Sequence, residues 1–220
     1  MNPADGRPTR SPVAFAPAPF YPIIDTPDLA AVEPIVRGVL EAGAPWLQLR
    51  CKGAPASAFL AAATALVRSA RAAGARVIVN DRLDVALASG AAGVHLGQDD
   101  LPLEAARRIA GGRLVIGIST HDVAQARAAA DGGADYVGFG PMFATATKSD
   151  ALAPQSLDAL TAVRAAIRIP IVAIGGIDER RASQVLDAGA DAVAMIGALA
   201  ASDDPRALAT RLLAARGTPR

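Results

Sequence analysis

The sequence predicts a single (β/α)8 barrel (a TIM barrel) of the α/β class, preceded by a short leader. Eight short apolar runs rich in β-forming residues alternate with helical stretches rich in alanine, leucine and arginine. Gly-Ala pairs recur where a helix would end and the next strand begin, at Gly43, Gly74, Gly133 and Gly189. Strands joined by helices pair in parallel, and apolar strands are typical of a sheet covered on both faces.

Residues 1–19 are predicted to form a disordered, proline-rich leader, and residues 20–216 to form the barrel domain. Five prolines in the leader disfavour a helix or a central strand. The apolar run that follows Arg10 is too short for a secretory signal peptide and is interrupted by Pro17. We therefore expect a cytoplasmic protein.

The predicted elements follow one another in strict alternation after the leader. The strands are expected at 21–24, 46–50, 76–80, 93–96, 114–118, 136–139, 171–174 and 192–196. The helices are expected at about 28–42, 82–89, 103–110, 122–132, 156–166, 179–188 and 204–215, with one more around the apolar stripe from Phe59 to Val67. An open doubly wound sheet is the alternative, but it needs fewer strands, and no G-x-G-x-x-G follows the first one.

Length, charge and composition exclude several classes of protein. A chain of 220 residues is long enough for one domain with its own core. Its net charge of +1 gives no sign of a nucleic-acid or anionic-membrane partner. One cysteine, Cys51, excludes an internal disulfide, and no apolar stretch is long enough to span a membrane. Whether copies of the chain form a homo-oligomer is left open.

Polar residues at the end of the second strand predict an anion site, because barrel enzymes place their chemistry at the carboxyl ends of strands. Alternation along the strand puts Gln48, Arg50 and Lys52 on one face and Cys51 on the other, against the helices. Two cations at the barrel mouth favour a phosphate or diphosphate ligand. The alternative is that both cations extend into solvent.

The third, fourth and fifth strands end in residues with two possible roles. Asp81 and Asp100 follow neighbouring strands and could together hold Mg²⁺ with phosphate oxygens. Each could instead cap the next helix, and so could Ser119. His95 is expected to be a hydrogen-bonded core histidine, and His121 a helix-start or rim residue rather than a base.

The remaining strand ends predict a second anion site of a different kind. Thr145, Thr147 and Lys148 lie in the longest loop, which is either a lid over a phosphorylated ligand or a solvated surface loop. Gly176 and Gly197 follow the seventh and eighth strands, where backbone N–H groups commonly bind phosphate in barrels. Two anion sites in one mouth predict an enzyme with a diphosphate leaving group and a second, phosphorylated substrate.

At these strand ends the chain resembles the thiamine phosphate synthase family over about residues 20–215. The resemblance rests on Gln48-x-Arg50-x-Lys52, Val79-Asn80-Asp81, Gly93-Val94-His95-Leu96-Gly97-Gln98-x-Asp100, Gly117-x-Ser119, Gly138-x-Gly140-Pro141 through Thr145-x-Thr147-Lys148, and Ile174-Gly175-Gly176-Ile177. It implies a barrel enzyme that joins a hydroxymethylpyrimidine diphosphate to a thiazole phosphate and releases thiamine phosphate and diphosphate. The implied chemistry is a Mg²⁺-assisted dissociative substitution.

The resemblance also implies roles for individual residues. The pyrimidine and its diphosphate are expected to bind Gln48, Arg50, Lys52, Asn80, Ser119 and Lys148. Mg²⁺ is expected on Asp81 and Asp100. The thiazole phosphate is expected on Thr145, Thr147, Gly176, Ile196 and Gly197, the last three mainly through backbone. Direct catalytic roles are expected for Arg50, Lys52, Ser119 and Lys148.

Two positions depart from the family pattern, and three rival functions stay open. Cys51 stands where a polar residue is usual, and Gly197 where a serine is common. The nearest rival is the thiazole tautomerase of the same fold, for which His121 leaves some room, although it lacks the diphosphate and metal residues. A non-catalytic protein that binds thiamine precursors is another. An aldolase or isomerase barrel is the third, but no Schiff-base lysine or glutamate base stands at a strand end.

Overall fold

Eight parallel strands close into a barrel in a computed structural model that describes residues 13–145 and 153–215. Each strand pairs with the next in chain order, and the eighth pairs with the first. The strands are β1 (Phe20–Asp25), β2 (Trp46–Arg50), β3 (Arg76–Asn80), β4 (Gly93–Leu96), β5 (Val115–Thr120), β6 (Tyr136–Phe139), β7 (Ile171–Ile174) and β8 (Ala192–Met195). The predicted fold class is confirmed, and every predicted strand is present.

The helices surround this barrel in the alternation that the sequence predicts. They are α1 (Glu33–Glu41), α2 (Ala56–Ala72), α3 (Leu83–Ser89), α4 (Leu103–Ala110), α5 (Val123–Asp131), α6 (Leu157–Ala166), α7 (Glu179–Asp187), α8 (Gly197–Ala200) and α9 (Pro205–Ala214). The short helix α8 was not predicted, because one turn of Gly-Ala-Leu-Ala leaves too little periodicity to detect. Within the described residues, no helix is both long and apolar enough to cross a membrane.

Helix α1 starts five residues later than the sequence predicted. The Asp28 N–H donates to the Thr26 hydroxyl at 3.0 Å, and the Ala31 N–H donates to the Asp28 carboxylate at 3.2 Å. Such side-chain bonds offer the backbone an alternative to helix. The helix then begins with Pro34 in its first turn, where the missing N–H costs nothing.

Two apolar layers hold the barrel together. The outer layer lies between strands and helices and includes Leu47, Leu49 and Leu66, each fully buried. Cys51 packs into this layer, as expected, and burial raises the pKa of its thiol to about 12. The thiolate form of Cys51 is therefore disfavoured near neutral pH. The inner layer fills the barrel itself and is built around aromatic rings.

The second half of the predicted leader lies against the barrel. Residues 13–19 form no helix, as their prolines predict. They differ from the disordered leader expected from sequence, because Phe15 is only 6% exposed and packs in the inner layer with Trp46 and Tyr136. Residues 1–12 lie outside the described residues, and the domain boundary between 19 and 20 stays a prediction.

Two aspartates fasten neighbouring strands where the strands begin. The Asp135 carboxylate accepts from the Ile116 N–H at 2.7 Å, and the Asp191 carboxylate accepts from the Ile171 N–H at 2.8 Å. Each also pairs with an arginine from a preceding helix, Arg107 and Arg164 respectively. Both aspartates follow a Gly-Ala pair, so the repeated Gly-Ala-Asp marks a strand start that is tied to its neighbour.

Candidate active site

A cavity opens among side chains that point into the barrel near the carboxyl ends of the strands. Five residues predicted from sequence to bind substrate line it: Gln48, Arg50, Asn80, Ser119 and Ile196. Its other lining residues are Tyr21, Ile23, His95, Tyr136, Gly138, Val172, Ile174 and Ala194. The interior of the barrel therefore gathers polar groups from β2, β3 and β5 over an apolar floor.

Arg50 is buried in this cavity and paired with a carboxylate. Its Nη1 donates to the Asp25 Oδ2 at 2.5 Å, and the two residues are register partners on β2 and β1. The alternative in which Arg50 extends into solvent is therefore wrong. Part of the predicted cation excess is also balanced within the protein, because Asp25 compensates the charge of Arg50.

Lys52 differs from Arg50 in its surroundings. Strand β2 ends at Arg50, so Lys52 lies in the turn that follows and is exposed. The alternation of side chains along the strand correctly places Gln48 and Arg50 inside the barrel. It does not apply to Lys52, because the strand has ended before that residue. Lys52 is not among the residues that line the cavity.

Ser119 faces the cavity rather than capping a helix. Its hydroxyl lies 2.9 Å from Nε2 of His95, whose Nδ1 lies 2.9 Å from the Tyr136 hydroxyl. The cap of α5 is Asp122, whose carboxylate accepts from the Gln125 N–H at 2.8 Å. The cap interpretation of Ser119 is therefore wrong, and the expectation that His95 is a hydrogen-bonded core histidine is confirmed.

Neither predicted metal ligand caps a helix. Helices α3 and α4 begin after Arg82 and Pro102, and neither start has a side-chain cap. Asp100 instead accepts from the Gly97 N–H at 2.7 Å, within its own loop. The capping alternatives for Asp81 and Asp100 are therefore wrong.

Asp81 has an unusual backbone for its residue type. Its φ of 62° is the one positive value of a non-glycine residue in the described ranges. Its N–H donates to the His95 carbonyl at 2.8 Å, which ties the end of β3 to β4. Aspartate tolerates this left-handed region at a cost of roughly 1 kcal/mol, and such residues concentrate at functional sites.

The loop after β6 lies against the glycines that follow β7. The Met142 N–H donates to the Ile174 carbonyl and the Phe143 N–H to the Gly175 carbonyl, each at 2.9 Å. A Cβ on Gly176 would lie 2.5 Å from the Ala144 carbonyl oxygen, and its φ is +60°. The Gly-Gly pair therefore has a packing role that the sequence analysis missed, because it admits the neighbouring loop.

Arg181 fastens the same two loops. Its guanidinium lies 4.6 Å from the centre of the Phe143 ring and donates to the Gly176 carbonyl at 2.7 Å. On the other side of this loop, next to β5, Nδ1 of His121 donates to the Gly140 carbonyl at 2.7 Å. The start of the β6–α6 loop is thus held from both sides, and His121 is a rim residue, as expected.

Four predicted site residues remain, and two of them lie outside the described residues. Gly197 opens the short helix α8 directly after β8, and Thr145 is half-buried at the end of the described part of the loop. Thr147 and Lys148 lie outside the described residues. Within the described ranges, no group of three or more histidine, cysteine, aspartate or glutamate side chains is arranged to hold a metal ion.

Sequence reasoning missed Asp25, Tyr21 and Tyr136, all of which join the site through hydrogen bonds. A signal was available for β1, because alternation places Tyr21, Ile23 and Asp25 on one face. Tyr136 begins β6 and carried no comparable signal, since its hydroxyl reaches the site only by crossing the barrel.

Comparisons with known proteins agree with this geometry. A family model described as thiamine monophosphate synthase matches residues 20–199. The thiamine-phosphate synthase of Chloroflexus aurantiacus is 47% identical over 180 residues, which cover 82% of this chain and 83% of that protein. The thiamine-phosphate synthase of Moorella thermoacetica is 47% identical over 178 residues, covering 81% and 85%.

Solved structures show the same relationship. A thiamine phosphate pyrophosphorylase from Pyrococcus furiosus superposes with a TM-score of 0.79 at 35% identity, covering 89% of this chain and 96% of that one. A 3-hexulose-6-phosphate synthase, at 20% identity and a TM-score of 0.70, shares the fold alone. The family model spans most of the chain, and the chain therefore belongs to the thiamine monophosphate synthase family.

Proposed function

We propose that this chain is a thiamine phosphate synthase, a transferase that moves a pyrimidinylmethyl group. In the reaction, the bond between the methylene carbon and the diphosphate oxygen of the pyrimidine substrate breaks. A bond forms between that carbon and the ring nitrogen of the thiazole phosphate, and diphosphate leaves. The observation that carries the proposal is the convergence of Gln48, Arg50, Asn80 and Ser119 on one cavity in a member of this family.

The cavity suits a dissociative substitution. An aminopyrimidine ring can donate electrons as diphosphate departs, which leaves a stabilised carbocation. Such a step needs an oriented ring and a neutralised leaving group rather than a strong base. Gln48 and Ser119 provide an amide and a hydroxyl for the ring, above the apolar side chains of Ile23 and Ile174.

The leaving diphosphate would lie toward the rim, near Arg50, Lys52 and Asn80. Lys148 is proposed as a further cation for it on the basis of the family resemblance. Arg50 is the buried cation of this group and is held in place by Asp25. Rate acceleration here comes from positive charge placed in advance where negative charge develops.

The residues present fit a Mg²⁺ ion. Asp81 and Asp100 follow adjacent strands and offer only oxygen donors, and Mg²⁺ typically takes one or two carboxylates together with substrate phosphate oxygens and water. The backbone strain at Asp81 supports a functional reason for that residue. When bound, the ion would neutralise charge on the diphosphate.

The thiazole phosphate would bind on the opposite side of the mouth. We assign Thr145, Thr147, Gly176, Ile196 and Gly197 to it, in keeping with the frequent phosphate site after β7 and β8 of barrels and the short helix found there. Arg181 supports this side by holding the Gly176 carbonyl and the Phe143 ring. Both partners are thus small molecules, and we propose a cytoplasmic location for their condensation.

The rival functions predict different products. For the thiazole tautomerase, the hydrogen bond from Nδ1 of His121 to the Gly140 carbonyl orients the ring and leaves Nε2 for a proton transfer, so the geometry stays compatible with this rival. A tautomerase would isomerise a thiazole substrate without consuming the pyrimidine diphosphate. A binding protein would leave both substrates unchanged.

A two-substrate assay tests the proposal. Purified protein is mixed with the pyrimidine diphosphate, the thiazole phosphate and Mg²⁺, and thiamine phosphate and diphosphate are quantified. Lys52→Ala is expected to lower kcat/KM about 100-fold, because it removes a charge that stabilises the leaving group without opening the core. Arg68→Ala, an exposed cation on α2, is the matched control. Absence of both products from the unmodified protein refutes the proposal.

A further inference from the structure

A continuous chain of hydrogen bonds crosses the inside of the barrel between two of the proposed substrate contacts. Nε2 of Gln48 donates to the Tyr21 hydroxyl at 3.4 Å, and the Tyr21 and Tyr136 hydroxyls lie 3.3 Å apart. From Tyr136 the chain continues to Nδ1 of His95, and Nε2 of His95 meets the Ser119 hydroxyl, at 2.9 Å in each case. We call these five residues the relay.

Glycines in two family motifs make room for the relay. A Cβ on Gly117 would lie 2.1 Å from Cζ of Tyr136, and a Cβ on Gly138 would lie 3.0 Å from Cε1 of His95. Both positions face the barrel interior, where any larger residue would displace a ring. The space for Tyr136 and His95 is therefore built into β5 and β6.

The two tyrosines in the middle of the relay are covered by the N-terminal segment. The Phe15 ring stacks on the Tyr136 ring, with centroids 4.0 Å apart and planes 17° apart, and it also contacts Trp46 at 5.0 Å. Phe15 is 6% exposed. It thus closes the amino-terminal end of the barrel beneath the two tyrosines and keeps bulk water from them.

We propose that Phe15, Tyr136 and His95 are positioning residues for Ser119, so that a residue of the proline-rich leader supports the pyrimidine site from the opposite end of the barrel. This inference rests on the proposed function, which gives Ser119 its ligand. Phe15 holds the Tyr136 ring, Tyr136 fixes the plane of the His95 imidazole, and His95 orients the Ser119 hydroxyl.

We assign one direction to the hydrogen bonds of the relay. In it Gln48 donates to Tyr21, the Tyr21 proton goes to Tyr136, and the Tyr136 proton goes to Nδ1 of His95, an order that the distances allow. His95 then donates from Nε2 to the Ser119 oxygen, and the Ser119 proton is left for the ligand. Burial raises the pKa of both phenols, so both keep the protons that this order requires.

This order of hydrogen bonds presents one hydrogen-bond donor and one acceptor to the ligand. Ser119 would offer a hydrogen-bond donor, and the Gln48 amide, whose nitrogen is used by Tyr21, would offer its oxygen as an acceptor. An aminopyrimidine carries ring nitrogens that accept and an exocyclic amine that donates. The relay therefore matches the pyrimidine rather than the thiazole phosphate.

A double-mutant cycle between Phe15 and Ser119 tests the coupling. Phe15→Leu keeps an apolar side chain but loses the stacked ring. It is expected to raise KM for the pyrimidine diphosphate about fivefold, the loss of affinity that corresponds to one hydrogen bond. KM for the thiazole phosphate is expected to stay the same. In a Ser119→Ala background the effect of Phe15→Leu is expected to disappear. Val13→Ala, in the same segment and packed on the same cluster, is the control.

The outcomes separate positioning from general loosening of the fold. An equal rise in both KM values, or an unchanged effect of Phe15→Leu in the Ser119→Ala background, overturns the proposal. Phe15→Tyr keeps the ring and is expected to restore part of the affinity. If the unmodified protein forms no thiamine phosphate, the proposed function fails, and the relay is then decided by spectroscopy alone.

Imidazole ¹⁵N spectra supply that readout, since the chain has two histidines and His121→Gln assigns them. His95 is expected as the neutral tautomer with its proton on Nε2, and Nδ1 of His121 is expected to carry a proton. Phe15→Leu is expected to shift the His95 signals and leave those of His121 in place. A proton on Nδ1 of His95, or no shift in the variant, overturns the relay.

Discussion

Asp25 and Arg50 form an ion pair inside the barrel mouth, between the last residues of two adjacent strands. The contact joins the Asp25 Oδ2 to the Arg50 Nη1 at 2.5 Å, and the side chains are 21% and 9% exposed. The two residues are register partners, so the pairing of β1 with β2 places them side by side. The pair keeps a guanidinium buried and aimed at the cavity before any ligand arrives.

Removal of this carboxylate is expected to destabilise the protein. Asp25→Asn leaves the buried charge of Arg50 without its partner, which costs about 3 kcal/mol in the free energy of unfolding. Urea denaturation measures the change. Glu33→Gln breaks an exposed ion pair with Arg37 and is expected to cost under about 0.5 kcal/mol, so equal losses in the two variants would contradict the argument.

Substitutions at Asp81 are expected to separate activity from stability. Asp81→Gly relieves the left-handed backbone and removes the carboxylate, so it should lower kcat/KM about 100-fold without lowering the unfolding free energy. Steady-state assays over a Mg²⁺ titration and urea denaturation measure the two effects.

Asp81→Asn provides the matched comparison. It keeps a residue type that accepts positive φ and removes only the charge, so its activity loss should equal that of the glycine variant. Unchanged Mg²⁺ dependence in both variants would exclude Asp81 as a ligand.

The two Gly-Ala-Asp strand starts are expected to differ in their contribution to stability. Arg107 and Asp135 are 3% and 9% exposed, whereas Arg164 and Asp191 are 17% and 42% exposed. Asp135→Asn should therefore cost about 3–5 kcal/mol, and Asp191→Asn only about 1 kcal/mol. Urea denaturation measures both, and neither variant should change KM for either substrate when assayed in the folded state.

The Cys51 thiol is expected to make stability depend on pH in the alkaline range. Burial, and then the nearby Asp25 charge, raise its pKa from 9.0 to about 12. Above pH 9 the unfolded chain loses the thiol proton while the folded chain keeps it, so the unfolding free energy falls as pH rises from about 9 to about 12. Cys51→Ala removes this component, so the stability difference between the two proteins should change between pH 7.5 and pH 10.

Reactivity gives a second measurement on the same thiol. A buried, protonated thiol reacts slowly with an aromatic disulfide reagent at pH 8 and rapidly once the chain is unfolded in urea. Fast reaction of the folded protein would contradict the buried position of Cys51.

Local patterns were sufficient to predict the architecture. Each strand is a short apolar run and each helix except α8 a periodic stretch, and a Gly-Ala pair often separates them, so the alternation is visible without any long-range contact. The start of α1 was misplaced because the bonds of Thr26 and Asp28 compete with helix over a few residues. The site could be predicted in outline because barrel chemistry gathers at strand ends, where Arg50, Asn80 and Ser119 stand.

What the sequence determined by itself is therefore the order of elements and the polar residue types at the strand ends. Tertiary structure decided which of those residues act together. The pairing of Asp25 with Arg50, the bonds from His95 to Ser119 and Tyr136, and the docking of Phe15 all depend on the register of the closed sheet. These contacts join residues of different strands, or join the N-terminal segment to the barrel, and local patterns do not contain such relationships.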